Sequence, residues 1–215
     1  MFSKSRNLFL VAALLVPTIA HSQNSKQLKK DHTFLVSSLK NLSVEFTLEI
    51  YSAFRKRTRH RSGKALFARP NSFRWTFDDK YGFEEYFFNG SKLSHFKKSE
   101  NLVVNYNINK GFAKELHQLV EMVLNPDKLL DRYSYKKTTE YHITLTPKGP
   151  QASDVKEISI SLQPPNKRFV ASIGIYYQDE NKSTYRFTKQ QSKKKISKKS
   201  FVFANPGGVK VKTLK

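Results

Sequence analysis

The stretch Phe83-Glu84-Glu85-Tyr86-Phe87-Phe88-Asn89-Gly90-Ser91-Lys92-Leu93-Ser94-His95-Phe96-Lys97 decides the fold. Two runs that suit strands, Phe83 to Phe88 and Lys92 to Lys97, flank Asn89-Gly90. Asn-Gly between such runs is the strongest short hairpin signal, and it predicts a turn whose two central residues take positive φ. Toward the N-terminus, Phe73, Trp75 and Phe77 alternate with polar residues. Ala65 and Phe67 do the same across a break at Arg69-Pro70-Asn71. Further back, Val44, Phe46, Leu48 and Ile50 alternate with Glu45, Thr47 and Glu49, which reads as a strand with one apolar face. Toward the C-terminus, Leu102 to Tyr106 continues the series.

Two stretches change period. Between Ser25 and Leu42, the residues Leu28, Leu35, Val36, Leu39 and Leu42 fall on one stripe of a helix. Phe112, Leu116, Leu119, Val120, Val123 and Leu124 form a second helical stripe. Asn125-Pro126-Asp127 ends it and opens a short helix through Leu130. Beyond lie strand-like runs at Tyr141 to Thr146, Glu157 to Leu162, Phe169 to Ile175 with a bend at Gly174, Ser183 to Lys189, and Phe201 to Phe203. About nine or ten short strands with an N-terminal helix and a central helical insertion make a mainly β protein of the α+β class. The expectation is one antiparallel sheet curling on itself, with helices on one side.

The chain has 215 residues, which suits one domain, and 39 Lys+Arg against 17 Asp+Glu give a net charge of +22. It has no cysteine, which excludes disulfide scaffolds, thiolate metal sites, a Cys nucleophile and a lipid-modified N-terminal Cys. Lys4 and Arg6 precede an apolar run from Leu8 to Val16, then Pro17 and a small-residue site at Ala20-His21-Ser22. Residues 1–22 therefore read as a secretory signal peptide, leaving residues 23–215 as a single domain. The run is shorter than the roughly 20 residues that span a bilayer. A cysteine-free exported chain fits a Gram-negative periplasm.

The histidines His21, His32, His60, His95, His117 and His142 form no metal-binding pair and read as surface or strand-face residues. Neither a nucleophile elbow nor a P-loop is present. Asp78-Asp79 and Glu84-Glu85 are neighbours whose side chains split across a strand, so they read as solvated turn residues rather than an acid/base dyad. Nothing points to an enzyme, a metal or a cofactor.

Ser62-Gly63-Lys64-Ala65-Leu66-Phe67-Ala68-Arg69-Pro70-Asn71-Ser72-Phe73-Arg74-Trp75 resembles the LolA family of periplasmic lipoprotein carriers, whose signature is G-x-L/F-x-x-x-R-P followed by an aromatic-x-W strand. Asn89-Gly90-Ser91-Lys92-Leu93, Leu145-Thr146-Pro147-Lys148 and Phe201 to Val209 match further family segments in the family's order. The resemblance implies an incomplete antiparallel β-barrel with a helical lid over a hydrophobic cavity. It also implies a carrier that takes acylated lipoproteins from an inner-membrane ABC transporter to an outer-membrane receptor, working as a monomer. By the same resemblance, Arg69 holds the lid by hydrogen bonds to its backbone, the lid is the helix bearing Phe112, Leu116, Leu119, Val120 and Val123, and Phe73 and Trp75 line the cavity. Strand phase adds Phe46, Phe67 and Phe88 to that lining. Asn109-Lys110-Gly111-Phe112 stands where many members carry an N-T-P-like segment.

Two basic clusters stand apart: Arg55, Lys56, Arg57, Arg59 and Arg61, and Lys193, Lys194 and Lys195 with Lys198 and Lys199. Both are expected to be loops. An exported chain does not meet nucleic acid, so beyond solvation their natural partner is an anionic membrane surface or an acidic protein. Two other readings share the fold: an envelope lipid or stress sensor that transports nothing, and a carrier of anionic glycolipid.

Overall fold

The computed structural model describes residues 41–107, 132–149, 154–164, 170–205 and 207–214. The first half is a meander of β1 (Asn41–Ser52), β2 (Arg57–Ala68), β3 (Ser72–Asp79), β4 (Gly82–Asn89), β5 (Leu93–Lys97) and β6 (Leu102–Tyr106). The second is a meander of β7 (Tyr133–Thr139), β8 (His142–Pro147), β9 (Val155–Leu162), β10 (Val170–Tyr177) and β11 (Lys182–Ser192), followed by β12 (Lys210–Thr213). They form one open sheet of twelve strands in the order β12-β6-β5-β4-β3-β2-β1-β11-β10-β9-β8-β7. The meanders join where β1 pairs antiparallel with β11, Phe46 opposite Phe187 and Leu48 opposite Tyr185.

Alternation explains which side each strand buries. Leu42, Val44, Phe46 and Leu48 of β1 are buried, as are Phe73, Trp75 and Phe77 of β3 and Ile173 and Ile175 of β10. They share one core with Ile158, Ile160, Tyr185 and Phe187. The sheet curls tightly around it. The Trp75 ring on β3 lies 5.6 Å from that of Tyr185 on β11, three strands away in the order. Three strand spacings on a flat sheet are about 14 Å. Curvature closes that gap, and Phe46 and Phe67 on the two strands between also touch the indole.

Several expectations are corrected. Leu42, read as the last helical stripe position, is in β1. Among the described residues the strands number twelve, and β1 and β2 each run to twelve residues rather than being short. The pairing is not wholly antiparallel, because β12 lies parallel to β6. Phe201 to Phe203 is no strand: a 3-10 turn over Lys198–Phe201, capped by Ser197 Oγ accepting from the Lys199 N–H, leads into extended chain. That segment buries Phe201 and sets Phe203 against Phe87 and Phe96 on the convex side. Gly174 is no bend, since pairing continues through it to Ser159 and Thr184. In the Asn89 turn only Gly90 has positive φ, so Gly90-Ser91 is the central pair. Asn89 instead serves through its side chain, whose Oδ1 accepts from the backbone N–H groups of Ser91 and Lys92. The helical stripes of residues 25–39 and 112–124, the short helix after Pro126 and the leader 1–22 lie outside the described residues. Among the described residues no helix is long and apolar enough to cross a membrane.

Candidate functional site

The concave face is aromatic at one end and charged at the other. Phe46, Phe67, Phe73, Trp75 and Phe88 all lie on it and are at most 2% exposed. Phe46 and Trp75 sit 4.6 Å apart, Phe67 and Trp75 5.6 Å, and Phe73 and Phe88 5.4 Å. Gly63 makes room for this packing: a Cβ there would lie 1.9 Å from the Thr76 carbonyl oxygen and 3.0 Å from Phe46 Cζ. The Trp75 indole Nε1 is buried and has no hydrogen-bond partner among the described residues. Such a donor is costly in an apolar interior and ready for a carbonyl acceptor.

Arg69 follows β2 in the phase of Ala65 and Phe67, and the Arg69-Pro70 peptide is cis. Its guanidinium Nε is buried without a partner among the described residues. The lid residues Phe112, Leu116, Leu119, Val120 and Val123 lie outside the described residues.

The charged end was not anticipated. Arg61 was expected in a basic loop, but it lies within β2 on the concave phase and is withdrawn into ion pairs. Its Nε donates to Asp79 Oδ2 at 3.0 Å and its Nη1 to Glu84 Oε1 at 3.1 Å, with the guanidinium 4.2 Å over the Phe77 ring. His95 is 3% exposed, stacked 3.9 Å from Tyr86. Its Nε2 lies 2.9 Å from Glu84 Oε2 and its Nδ1 3.4 Å from the Tyr106 hydroxyl. A carboxylate only accepts, so Nε2 carries the proton and Nδ1 accepts from Tyr106. Burial pushes the His95 pKa down, outweighing the pull of Glu84. Burial also pushes the Tyr86 hydroxyl up, with the Glu84 charge adding to it. Burial alone would raise Asp79, but hydrogen bonds from Arg61 and the backbone N–H groups of Tyr81 and Ser62 hold it below its usual value.

Asp79, Glu84 and Glu85 are therefore not solvated turn residues, whereas Asp78 is exposed. Glu85, on the convex side, accepts from Arg74 Nε at 3.0 Å and from Thr76 Oγ1 at 2.9 Å. The signal for this network lay in strand phase. Arg61 is in step with Ala65, Asp79 with Trp75, and Glu84 with Tyr86. His60 is exposed and His142 meets Ser161 Oγ at 3.1 Å. Among the described residues no three His, Asp or Glu side chains form a group able to hold a metal. Lys193, Lys194 and Lys195 are exposed beyond β11.

A family model described as outer membrane lipoprotein carrier protein LolA matches residues 37–204. The chain belongs to the LolA family. No curated protein matches the sequence. Among solved structures, a DUF1329 family protein from Desulfovibrio piger superposes with a TM-score of 0.53 at 11% identity, covering 85% of this chain and 97% of that one. An uncharacterized conserved protein from Thermus thermophilus gives 0.51 at 6% identity, over 87% and 99%. A LolA superfamily protein from Nitrosomonas europaea gives 0.47 at 9% identity, over 83% and 97%. At these identities the likeness to the first two is one of fold. In this LolA-family chain the signature residues Gly63 and Trp75 lie on the neighbouring strands β2 and β3, opposite Phe77 and Ala65, with Phe46 packed against both.

Proposed function

We propose that the mature protein, residues 23–215 after loss of a signal peptide, is a periplasmic carrier. It shields the acyl chains of lipoproteins on the aromatic concave face and passes them from an inner-membrane ABC transporter to the outer membrane. The observation that carries this reading is the buried Phe46, Phe67, Phe73, Trp75 and Phe88 cluster in a chain of the LolA family. Each methylene moved out of water is worth about 0.8 kcal/mol, so a triacylated cargo needs such a surface to cross an aqueous compartment. The rings touch one another, which suits an unloaded state that opens on loading.

The lid is the stripe Phe112, Leu116, Leu119, Val120 and Val123. Its segment leaves β6, next to one end of the strand order, and re-enters at β7, the other end. Arg69 is its latch: a guanidinium presents five donors, and its buried Nε, unpartnered among the described residues, supports a role toward backbone carbonyls. The experiment is to isolate the protein from its native periplasm and identify co-purifying acylated species by mass spectrometry. Lipoprotein peptides support the carrier. Free glycolipid or no acylated species refutes it.

A further inference from the structure

We propose that the tip of the β1–β2 hairpin is a membrane-docking end, which seats on anionic phospholipid with the Phe54 ring at the headgroup level. Phe54 is 95% exposed and flanked by exposed Arg55, Lys56 and Arg57. The hairpin projects past β3, while β11 follows β1 as far as Tyr51 opposite Lys182. β2 pairs with β1 as far as Arg57 but with β3 only from Gly63 onward. Beside it, Tyr81 is 41% exposed, with Arg59 and Lys80 over its ring at 4.7 and 5.2 Å, and Tyr51 is 37% exposed. Half-exposed aromatics among Arg and Lys are the composition that sits at a membrane interface, where rings enter the headgroup layer and cations meet phosphate. The neighbouring β10–β11 turn carries Asp179 and Glu180. Asp179 is engaged by Asn181, whose Oδ1 accepts from the Ala53 N–H at the base of the tip. The tip cations Arg55, Lys56, Arg57 and Arg59 outnumber these two carboxylates. Lys56 holds φ at 47°, a conformation that glycine adopts freely and lysine does not. The strained position thus keeps a charged side chain at the apex.

The two basic clusters now separate. Ser192 pairs with Leu42 at the start of β1, so Lys193 to Lys195 lie at the opposite end of the sheet from Phe54. Twelve strand residues span about 36 Å, so a surface that receives the tip end-on does not reach the other end. Docking belongs to the hairpin tip, and the Lys193 cluster is left solvated. This inference is independent of the acyl-chain reading, because tip variants leave Trp75 untouched and each fails separately.

The test is flotation of the mature chain with phosphatidylglycerol–phosphatidylethanolamine vesicles and with phosphatidylcholine vesicles. Binding is expected to the anionic set alone and to weaken with salt. Phe54→Ser should weaken it roughly tenfold. Reversal of Arg55, Lys56 and Arg57 to Glu should weaken it on the order of a hundredfold. Reversal of Lys193, Lys194 and Lys195 should leave it within about twofold. Because the chain has no cysteine, Phe54→Cys and Lys194→Cys each take a single environment-sensitive dye. The dye at 54 should turn apolar on vesicles and the dye at 194 should not. Trp75 emission verifies that each variant is folded. Absence of anionic-vesicle binding, wild-type binding by Phe54→Ser, or a dye at 54 that stays in water on bound vesicles would each overturn the proposal. Salt-sensitive capture of an acidic protein in place of vesicles would also overturn it.

Discussion

Replacing Arg61 with Met tests whether the charged end of the concave face holds the fold together. The side chain is 11% exposed, and its partners Asp79 and Glu84 are 8% and 23% exposed. Removing one partner of a buried ion pair costs about 3–5 kcal/mol. Asp79 keeps its bonds from the Tyr81 and Ser62 N–H groups and Glu84 keeps His95, which lowers the expected loss to about 2–3 kcal/mol. At this chain length that is roughly 5–10 °C in Tm. The assay is urea and thermal unfolding followed by the fluorescence of Trp75, the sole tryptophan. Its pH dependence identifies the cause. Asp79 has a folded pKa below its unfolded value, so its contribution is complete above about pH 4 and is lost as pH falls through the folded value. The gap between wild type and Arg61→Met should therefore be full at pH 7 and narrow below about pH 4. Coincident unfolding curves at pH 7, or a gap of constant size down to pH 3, would refute the reasoning.

Three further outcomes are expected. Gly63→Ala forces a methyl group against the Thr76 carbonyl and should cost about 1–3 kcal/mol in the same unfolding assay. His95 resists protonation in the folded state, so wild-type stability should fall as pH drops below about 6.5, where the unfolded chain takes up that proton. His95→Gln keeps a donor for Glu84 and should flatten the slope between about pH 6.5 and 5, whereas an unchanged slope assigns it to other groups. Arg69→Leu should load lipoprotein but release it poorly to receptor-bearing membranes, with Arg69→Lys only slightly better, since each charge-assisted bond of the latch contributes about 1.5–3 kcal/mol. Wild-type transfer by Arg69→Leu would remove the latch and leave the carrier.

Period-two alternation made most of the sheet legible, most cleanly in β1 and β3, whose alternate residues are buried in the core, and less so in β4 to β6, which bury residues on both faces. The same signal failed at β7, where only Tyr133 is buried, and at β12, whose four residues are all exposed. β12 is held by backbone pairing alone, and β7 offers only Tyr133 and Tyr135 as an apolar phase, too short a run to read. Leu42 extended a helical stripe by chance, but pairing to Phe67 and Ser192 determines its conformation. The basic run from Arg55 to Arg61 looked like a loop because charge masks strand phase. Only the tip, residues 53–56, is a turn, and the alternate residue Arg61 turns inward. The Phe201 to Phe203 alternation was real in that it buries apolar rings, yet it does so as a strap over the convex side without strand pairing.

The seam between β1 and β11 has a consequence for how the chain acquires its structure. Arg186 meets Glu49 across 137 residues of sequence. A chain emerging N-terminus first forms β1 early, yet β1 keeps one edge without a partner until nearly all of the protein has appeared. Topologies dominated by such distant pairings fold slowly, and an uncovered strand edge recruits other chains in the meantime. The interval before β11 arrives is the period in which this protein is most exposed to aggregation, and a nascent chain ending before Lys182 should stick to its neighbours where one ending after Ser192 does not.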